Sequence, residues 1–322
     1  MRPFDRRTTS SAETGTLASL SALSDATPVR VDAALEAAVP AWPLKIQVQT
    51  ATRCNAACAM CPYPEVAGAE GFLHQSMSEA LYESLLAQLA GVPVERFSPF
   101  LMNEPLLDRR LESFVAKARA ALPRTTLGLF TNGSALTAAR AEALAFAGLD
   151  ELCISVHGFD APTYEAVMAG LSHERVMGRL RDVVALFEAG ALGGLRLQVV
   201  TGDVAEIAGA APSWLAPYVL LKGFSNERVV SATENLPCTG PGGPRPLCQR
   251  PFVKLYVLAD GDCVLCNCDW RRKKVLGNLT RTSLAEIWRG EAYRALRREH
   301  VRLDFPTGHP CHACDYPWVV DE

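Results

Sequence analysis

The sequence predicts an α/β fold: a partial (β/α)6 TIM-like barrel followed by a small C-terminal domain made of a β-hairpin and a helix. Three observations lead to this prediction. From Lys45 onward, short strand-like runs alternate with helical ones six times, as expected for parallel βα units. A linker rich in Pro and Gly begins at Leu236. With 322 residues, 49% of them apolar, the chain can build one large domain and a small one.

The barrel is predicted from runs that follow one another in the order strand, then helix. The predicted strands cover residues 45–50, 97–101, 126–130, 151–156, 195–201 and 218–222, and the predicted helices cover 77–89, 109–121 and 135–147, with helical stretches up to about 189. Six repeats suit an open barrel better than a closed eight-fold one, and the loops at the carboxyl ends of such strands carry the chemistry. The expected domains are an N-terminal extension (1–43), the barrel (44–235) and the C-terminal domain (236–322).

Composition excludes several classes of protein. The net charge of −3 does not favour general binding to nucleic acid or membrane surfaces, and the basic run 271–274 is interpreted as a solvated turn. No run of about 18 uncharged apolar residues predicts a membrane span. The N-terminus lacks the pattern of a signal peptide, so a cytoplasmic location is expected and the eleven cysteines indicate metal binding rather than disulfides. The first forty residues are expected to be a weakly ordered extension or a helix packed outside the core.

The most informative motif is a loop directly after the first strand. Cys54, Cys58 and Cys61 have the spacing Cys-x3-Cys-x2-Cys. Three thiolates in one short loop can hold three irons of a four-iron cluster, which leaves the fourth iron without a protein ligand. A zinc loop and buried thiols are the alternatives. Tetrahedral zinc wants four ligands, however, and apolar cysteines have no reason to adopt this spacing.

This spacing resembles the signature of radical S-adenosylmethionine (SAM) enzymes. The resemblance implies that the open iron binds the amino and carboxylate groups of SAM, and that one electron cleaves SAM to methionine and a 5′-deoxyadenosyl radical. It covers roughly residues 45 to 225, and the cysteine loop is its specific part.

The resemblance also implies SAM contacts on later loops. Glu104 and Pro105 match the family's Gly-Gly-Glu-Pro motif, whereas Met102 and Asn103 replace its glycines. Met60 stands where an aromatic residue usually lies beside the adenine. The remaining expected SAM-binding positions are Asn132 in the Thr-Asn-Gly turn after strand three, Ser155 on strand four, and Gln198 and Thr201 on strand five.

The C-terminal region predicts a hairpin and then a helix. Residues 252–258 and 263–268 flank an Asp-Gly turn signal, Gly277-Asn278 suggests a second turn, and Ser283 with Glu286 forms a capping box for a helix up to about Glu299. Cys248, Gly261 and Cys266 have the spacing that opens the SPASM module of radical SAM enzymes. Because the chain stops eight residues after Cys314, it resembles the shortened "twitch" form. That resemblance implies one auxiliary four-iron cluster, with the ligands Cys248, Cys266, Cys311 and Cys314. A structural zinc ribbon on the same four residues is the alternative.

Four cysteines remain outside these two sets. Cys153 is expected in the core, since it lies two residues before Ser155 on the same strand face. Cys263 and Cys268 are interpreted as packing residues, or as replacements for a misassigned ligand. Cys238 lies in the linker, where a thiol can donate a hydrogen atom to a substrate radical; an unimportant loop cysteine is the alternative.

The family resemblance implies an oxidoreductase or epimerase that abstracts a hydrogen atom from a small molecule. Twitch-type relatives act on aminoglycosides and other sugars, so we expect a carbohydrate or aminocyclitol substrate and a reductase or flavodoxin-type electron donor. A cationic aminocyclitol needs acidic partners. Glu227 and Glu234 are candidates by position, and Lys222 and Asn226 are expected at the mouth of the site. The alternatives are a peptide-modifying enzyme, for which some forty N-terminal residues leave little room for a leader-binding domain, and a non-catalytic zinc or iron–sulfur protein.

Overall fold

A computed structural model of the protein describes residues 20, 22–201, 210–221, 247–312 and 314. Nine strands of this part of the chain form one sheet. They are β1 (Lys45–Val48), β2 (Arg96–Ser98), β3 (Thr126–Thr131), β4 (Glu151–Ser155), β5 (Arg196–Thr201), β6 (Val219–Leu221), β7 (Lys254–Val257), β8 (Asp262–Val264) and β9 (Val275–Asn278). Their order in the sheet is β6-β5-β4-β3-β2-β1-β7-β8-β9. Strands β1 to β6 are parallel, which confirms the six-stranded partial barrel.

The helices lie between the strands, as βα units require. In the described residues they are α1 (Pro28–Ala38), α2 (Tyr63–Ala67), α3 (Glu79–Leu89), α4 (Leu111–Ala121), α5 (Ala138–Phe146), α6 (Ala161–Val167), α7 (His173–Glu188), α8 (Arg250–Val253), α9 (Leu284–Arg289) and α10 (Glu291–Arg302). Side-chain oxygens of Ser78, Thr137, Asp160 and Ser172 accept hydrogen bonds from the first turns of α3, α5, α6 and α7. These caps satisfy backbone donors that a helix leaves unpaired.

Alternate residues of the strands face the helices and the barrel interior. Ile46 and Val48 of β1 are buried in the main core, and Lys45 and Gln47 are half-buried and line a small pocket with Phe100 and Phe130. At the amino-terminal end of the barrel, the Glu151 carboxylate forms ion pairs with Arg96 and Arg196. This ionic bridge lies opposite the carboxyl edge, where the cysteine loop begins.

The predicted C-terminal hairpin is present, but its first arm begins differently. Residues 250–253 form the short helix α8 instead of strand, because Pro251 fits the first turn of a helix and cannot donate a ladder hydrogen bond. The arm itself, β7, pairs in parallel with β1, with Lys254 beside Lys45. Its antiparallel partner β8 is only three residues long. The C-terminal hairpin therefore continues the barrel sheet past β1.

Two further predictions for this region differ in part from the structure. The predicted helix up to Glu299 is divided into α9 and α10 by Gly290, whose backbone is extended (φ −69°, ψ 166°), although the Ser283–Glu286 capping box is confirmed. Gly277 and Asn278 end strand β9, and the turn lies after them, where Arg281 N donates to Asn278 O at 3.1 Å. A Cβ atom on Gly277 would come within 2.7 Å of Ile287 Cγ1, so this glycine permits close packing of strand and helix.

Before the barrel, helix α1 packs outside the main core, which is one of the two expected arrangements. Its buried residues Val31 and Leu35 contact Phe252, Val253 and Val301 of the C-terminal region. Helix α1, near the start of the described chain, thereby packs against the C-terminal region.

Candidate active site

The cysteine loop, residues 54–61, follows β1 at the carboxyl edge of the sheet. Backbone hydrogen bonds hold it on both sides of its middle cysteine. Ala57 N donates to Ala169 O at 2.7 Å, and Ala59 N donates to Val167 O at 2.8 Å. The end of α6 and the turn after it therefore fix the shape of the loop.

The three thiols of this loop are half-buried and influence one another. Burial raises the pKa of Cys54, Cys58 and Cys61, that of Cys61 to about 12, and the charges of neighbouring cysteines raise the pKa of Cys58 and Cys61 further. Tyr63 fixes two of them, because Cys54 N donates to Tyr63 Oη at 2.9 Å and Tyr63 N donates to Cys61 Sγ at 3.5 Å.

Such a donor set fits a metal cluster. Three clustered thiols repel one another as thiolates, and a bound cation removes that repulsion and stabilises the deprotonated form. In the described residues no three His, Cys, Asp or Glu side chains already converge at ligand geometry. The loop therefore gathers the thiols, and metal binding would draw them together.

Glu104 connects the loops that follow β2 and β3. It is 2% exposed, and its carboxylate accepts hydrogen bonds from Thr131 Oγ1 (2.5 Å), Asn132 N (2.6 Å) and Leu106 N (3.0 Å). Burial raises the pKa of Glu104, and these three donors oppose the increase. Its side chain therefore braces the turn after β3. The expected contact of Glu104 with SAM stays a prediction.

Asn132 extends this brace to the cysteine loop. Its side-chain amide donates to Asn55 Oδ1 at 3.0 Å, and Asn55 Nδ2 donates to Ser134 Oγ at 2.8 Å. Ser134 N donates in return to Asn132 Oδ1 at 2.9 Å. The Thr-Asn-Gly turn is thus hydrogen-bonded to Asn55, the residue after Cys54.

Met102 keeps a glycine-like backbone although it carries a side chain. Its φ is +52°, in the left-handed region that glycine adopts without strain. Its side chain packs against the small apolar cluster of Leu101, Tyr256, Leu258 and Val264, next to the hairpin. Met102 therefore adopts a backbone conformation that suits glycine, and its side chain contacts the C-terminal region.

Several buried polar atoms at the carboxyl edge have no hydrogen-bond partner among the described residues. They are Thr50 Oγ1 after β1, Asn103 Nδ2 after β2, Tyr164 Oη in α6 and Thr201 Oγ1 at the end of β5. Buried polar atoms are rarely left unpaired in folded proteins. Their position at the edge of the barrel where the cysteine loop lies fits bound polar groups such as SAM and its cluster. Asn103 Oδ1 accepts from Leu101 N at 2.9 Å, which orients this amide.

The other predicted SAM-binding residues lie on the same side of the fold. Met60 is buried within the cysteine loop, and Ser155 is half-buried at the carboxyl end of β4. Gln198 lies one layer deeper, where its Oε1 accepts from the Cys153 thiol at 3.7 Å. Cys153 is 5% exposed, as expected for a core residue.

Two neighbouring thiols of the C-terminal region share a hydrogen bond. This bond lowers the pKa of Cys266, with help from the charge of Arg250, and raises the pKa of Cys268. Arg250 Nη1 donates to Cys268 Sγ at 3.5 Å, and the charge of Cys314 also acts on Cys268. The structure therefore brings Cys268 beside two of the predicted auxiliary ligands.

Cys311 is held by two histidines. It is 7% exposed, with its Sγ 3.5 Å from His300 Nε2, and its backbone N donates to His309 Nδ1 at 3.0 Å. His300 Nδ1 lies 2.8 Å from Leu296 O, which makes that nitrogen the donor and leaves Nε2 to face the thiol. Cys314 N donates to Cys311 O at 3.4 Å, so the two cysteines share one turn.

The remaining candidates divide into buried residues and residues outside the described chain. Cys263 is fully buried in the core, and Cys248 is half-buried directly before α8. Cys238, the predicted hydrogen donor, lies outside the described residues. The same holds for Lys222, Asn226, Glu227 and Glu234.

Sequence reasoning missed Tyr63, Tyr164, Arg250 and His300 as parts of the site, and also Trp270, whose ring meets that of Tyr63 edge to face. Tyr63 stands two residues after Cys61, and Arg250 two residues after Cys248, so nearness to a cysteine was the available signal. Tyr164 and His300 lie far from the cysteines that they approach, and only the fold brings them together.

Two family models match this chain. The model described as "Radical SAM superfamily" matches residues 48–194, and the SPASM model, described as "Iron-sulfur cluster-binding domain", matches residues 248–315. No described helix is both long and apolar enough to cross a membrane.

Known proteins resemble different lengths of the chain. A 2-deoxy-scyllo-inosamine dehydrogenase dependent on S-adenosyl-L-methionine, from Niallia circulans, is 24% identical over 257 residues, which are 79% of this chain and 85% of that protein. A GTP 3′,8-cyclase from Mycobacterium marinum is 36% identical over 126 residues, 38% of this chain and only 33% of the cyclase.

Solved structures share the fold at low sequence identity. BtrN in complex with AdoMet and 2-DOIA aligns with a TM-score of 0.54 and 21% identity, over 80% of this chain and 87% of BtrN. Native anSMEcpe with bound AdoMet aligns with a TM-score of 0.56 and 14% identity, over 85% and 87% of the two chains.

Proposed function

The chain belongs to the radical SAM superfamily, and from that membership we propose that it oxidises a small carbohydrate-like substrate, such as an aminocyclitol. It is an enzyme whose cofactors are SAM, the four-iron cluster that binds SAM, and an auxiliary iron–sulfur cluster. The similarity of most of the chain to an inosamine dehydrogenase supports this substrate class and a dehydrogenase reaction. An epimerase reaction at the same site is the alternative outcome.

One observation carries the proposal: cysteine thiols and unpaired buried polar atoms gather at one edge of the barrel. When bound there, the SAM-binding cluster supplies the electron that releases a 5′-deoxyadenosyl radical, and the auxiliary cluster can accept an electron from the substrate. The buried surroundings restrict stray hydrogen donors.

We assign the residues of this edge the following roles. Cys54, Cys58 and Cys61 bind the first cluster, and Cys248, Cys266, Cys311 and Cys314 bind the second. Met60, Asn103, Asn132, Ser155 and Gln198 contact SAM or line its pocket. Glu104 is a positioning residue, because its hydrogen bonds to Thr131 and Asn132 hold the turn beside the cysteine loop.

The overall reaction balances without an added oxidant. A secondary alcohol gives one hydrogen atom to the 5′-deoxyadenosyl radical and then loses one proton and one electron to become a ketone. The products are the ketone, 5′-deoxyadenosine, methionine and a proton, and the electron that starts the cycle is returned. We expect a flavodoxin-type donor to supply the first electron and the cytoplasm to be the working compartment.

The test is anaerobic reconstitution with iron and sulfide, followed by incubation with SAM, a strong reductant and a panel of aminocyclitols. We expect 5′-deoxyadenosine and a ketone in equal amounts, and neither product with Cys58→Ala. Cys153→Ser is the matched control, because this buried residue lies deeper in the barrel and a hydroxyl there keeps the hydrogen bond to Gln198, so the reaction should remain. The proposal fails if 5′-deoxyadenosine forms with a peptide but with no sugar, or if the products incorporate deuterium from heavy water without oxidation. The second result, abolished by Cys238→Ala, would identify an epimerase.

A further inference from the structure

Tyr164 is a buried residue whose polar hydroxyl group takes part in none of the interactions described so far. The residue is fully buried in α6, yet its Oη has no hydrogen-bond partner among the described residues. Leaving a buried hydroxyl unpaired is unfavourable, so each such group needs a physical explanation.

The surroundings of Tyr164 point to the first cluster. The hydrogen bonds from Ala57 to Ala169 and from Ala59 to Val167 bracket Cys58, and both acceptors lie just after Tyr164 in the chain. Burial raises the pKa of Tyr164, and the charges of Cys58 and Glu104 raise it further. The hydroxyl therefore keeps its proton and is available as a donor.

The backbone around Tyr164 leaves it little freedom to turn away. Gly158 has a φ of +151°, and a Cβ there would lie 2.6 Å from Tyr164 N, so the strand-four loop passes directly against α6. His173 meets the tyrosine ring edge to face, with 5.5 Å between ring centroids. The ring is held between this loop and His173. Val167, one helical turn after Tyr164 in α6, accepts the hydrogen bond from Ala59, so this part of the helix packs against the cysteine loop.

We propose that the Tyr164 hydroxyl donates a hydrogen bond to a sulfur atom of the SAM-binding cluster, at or next to Cys58, and thereby raises the reduction potential of that cluster. The inference rests on the proposed function only in taking Cys58 as a ligand. A hydrogen bond to cluster sulfur stabilises the reduced state, which carries one more negative charge than the oxidised state. Tyr164 is thus a positioning and tuning residue, with no contact to substrate required.

The test compares Tyr164→Phe with the wild type in two measurements that need no substrate. The first is an anaerobic potentiometric titration, following the EPR signal that changes on addition of SAM. We expect Tyr164→Phe to weaken electron affinity about tenfold, a shift of about 59 mV to more negative potential. The second is the melting temperature of the cluster-free protein. It should not fall, because the variant removes only an unpaired hydroxyl.

Tyr82→Phe is the matched control, since the buried Tyr82 hydroxyl already donates to Phe114 O at 3.0 Å. It should lower the melting temperature and leave the potential unchanged. An unchanged potential in Tyr164→Phe overturns the proposal, and so does a lower melting temperature of its cluster-free form, which would reveal a partner within the protein.

If Tyr164→Phe takes up too little iron to titrate, deuteron ENDOR of the wild type in heavy water decides. A wild-type spectrum accounted for by backbone amide deuterons alone overturns the proposal. A potential shift in a protein that never oxidises a sugar would leave this proposal intact and refute only the proposed function.

Discussion

The rings of Tyr63 and Trp270 meet edge to face, with 6.5 Å between their centroids and an interplanar angle of 70°. Tyr63 is bonded to the backbone of Cys54 and to the thiol of Cys61, whereas Trp270 stands two residues after Cys268. This contact joins the loop of the first cluster to the loop of the second. It also covers one side of the first cysteine loop with aromatic surface.

We therefore expect Trp270→Leu to make the SAM-binding cluster more accessible to oxygen. An edge-to-face pair contributes about 0.5–1.5 kcal/mol beyond its buried area, so the folded state should survive the change. The measurement is the rate at which the visible absorption of the reconstituted protein bleaches in air. Trp270→Phe, which retains an aromatic ring, should bleach at a rate between those of Trp270→Leu and the wild type.

Trp214→Leu is the control for loss of an indole elsewhere. Trp214 packs beneath Arg181, with the guanidinium carbon 5.4 Å from the ring centroid, on a different part of the barrel. Trp214→Leu should lower the stability of the protein somewhat and leave the bleaching rate unchanged. Equal bleaching in Trp270→Leu and Trp214→Leu would show that the Tyr63–Trp270 contact does not shield the cluster.

The parts of this molecule that depend on local sequence could be predicted. Alternation of strand and helix gave the six-stranded barrel, and thiol spacing identified the cysteine loop, because each depends on residues close together in the chain. The Ser283–Glu286 capping box is equally local, and it is present.

Features that depend on distant partners could not be predicted in this way. The pairing of β7 with β1 requires two strand edges to meet, and hydrophobic pattern alone does not select the partner. Gly277 carries a turn signal in the sequence, but close packing on Ile287 explains it. Glu104 was assigned to SAM by its motif, whereas its hydrogen-bond partners Thr131 and Asn132 lie at the carboxyl end of the next strand, β3.

Gly170 packs closely against the cysteine loop, and its replacement should lower both the stability of the protein and its iron content. Its φ is +88°, and a Cβ there would lie 3.3 Å from Asn55 O. We expect Gly170→Ala to destabilise the cluster-free protein by about 1–3 kcal/mol through backbone strain and to reduce iron uptake by the first loop. Urea unfolding and iron analysis measure the two effects.

Gly193→Ala is the control that separates the effect of backbone strain from the effect of contact with the cysteine loop. Gly193 also has a positive φ, +57°, but a Cβ there meets nothing within 4 Å. It should lose stability without losing iron. If both variants take up wild-type amounts of iron, contact of Gly170 with the loop is unimportant for cluster binding.

The auxiliary cysteines yield a prediction about ligand identity. We expect Cys311→Ala to lower bound iron by about half, because one of two four-iron clusters loses a ligand. Cys268→Ala should retain the iron and change only the EPR signal of the auxiliary cluster, since Cys268 is hydrogen-bonded to Cys266 and Arg250. The opposite result, iron lost from Cys268→Ala and kept by Cys311→Ala, would exchange the roles of these two thiols.

The buried Glu104 carboxyl gives a pH dependence whose sign can be worked out. Because burial raises its folded pKa above the ordinary value of 4.5, the folded state binds this proton more tightly than the unfolded state. Its contribution to stability is therefore complete below the unfolded pKa and is lost as the pH rises through the folded pKa. Glu104→Gln does not titrate, and it turns an amide donor toward the Thr131 hydroxyl or Asn132 N–H.

We expect Glu104→Gln to destabilise the cluster-free protein by about 1–3 kcal/mol at low pH, because both oxygens of the protonated carboxyl can still accept hydrogen bonds and the amide nitrogen cannot. The deficit relative to the wild type should shrink as the pH is raised, since only the wild type loses the protonated carboxyl. Anaerobic urea unfolding of both proteins across a pH series, in a thiol reductant, measures that difference. A deficit that grows with pH would mean that the three hydrogen bonds outweigh burial and that Glu104 folds as a carboxylate.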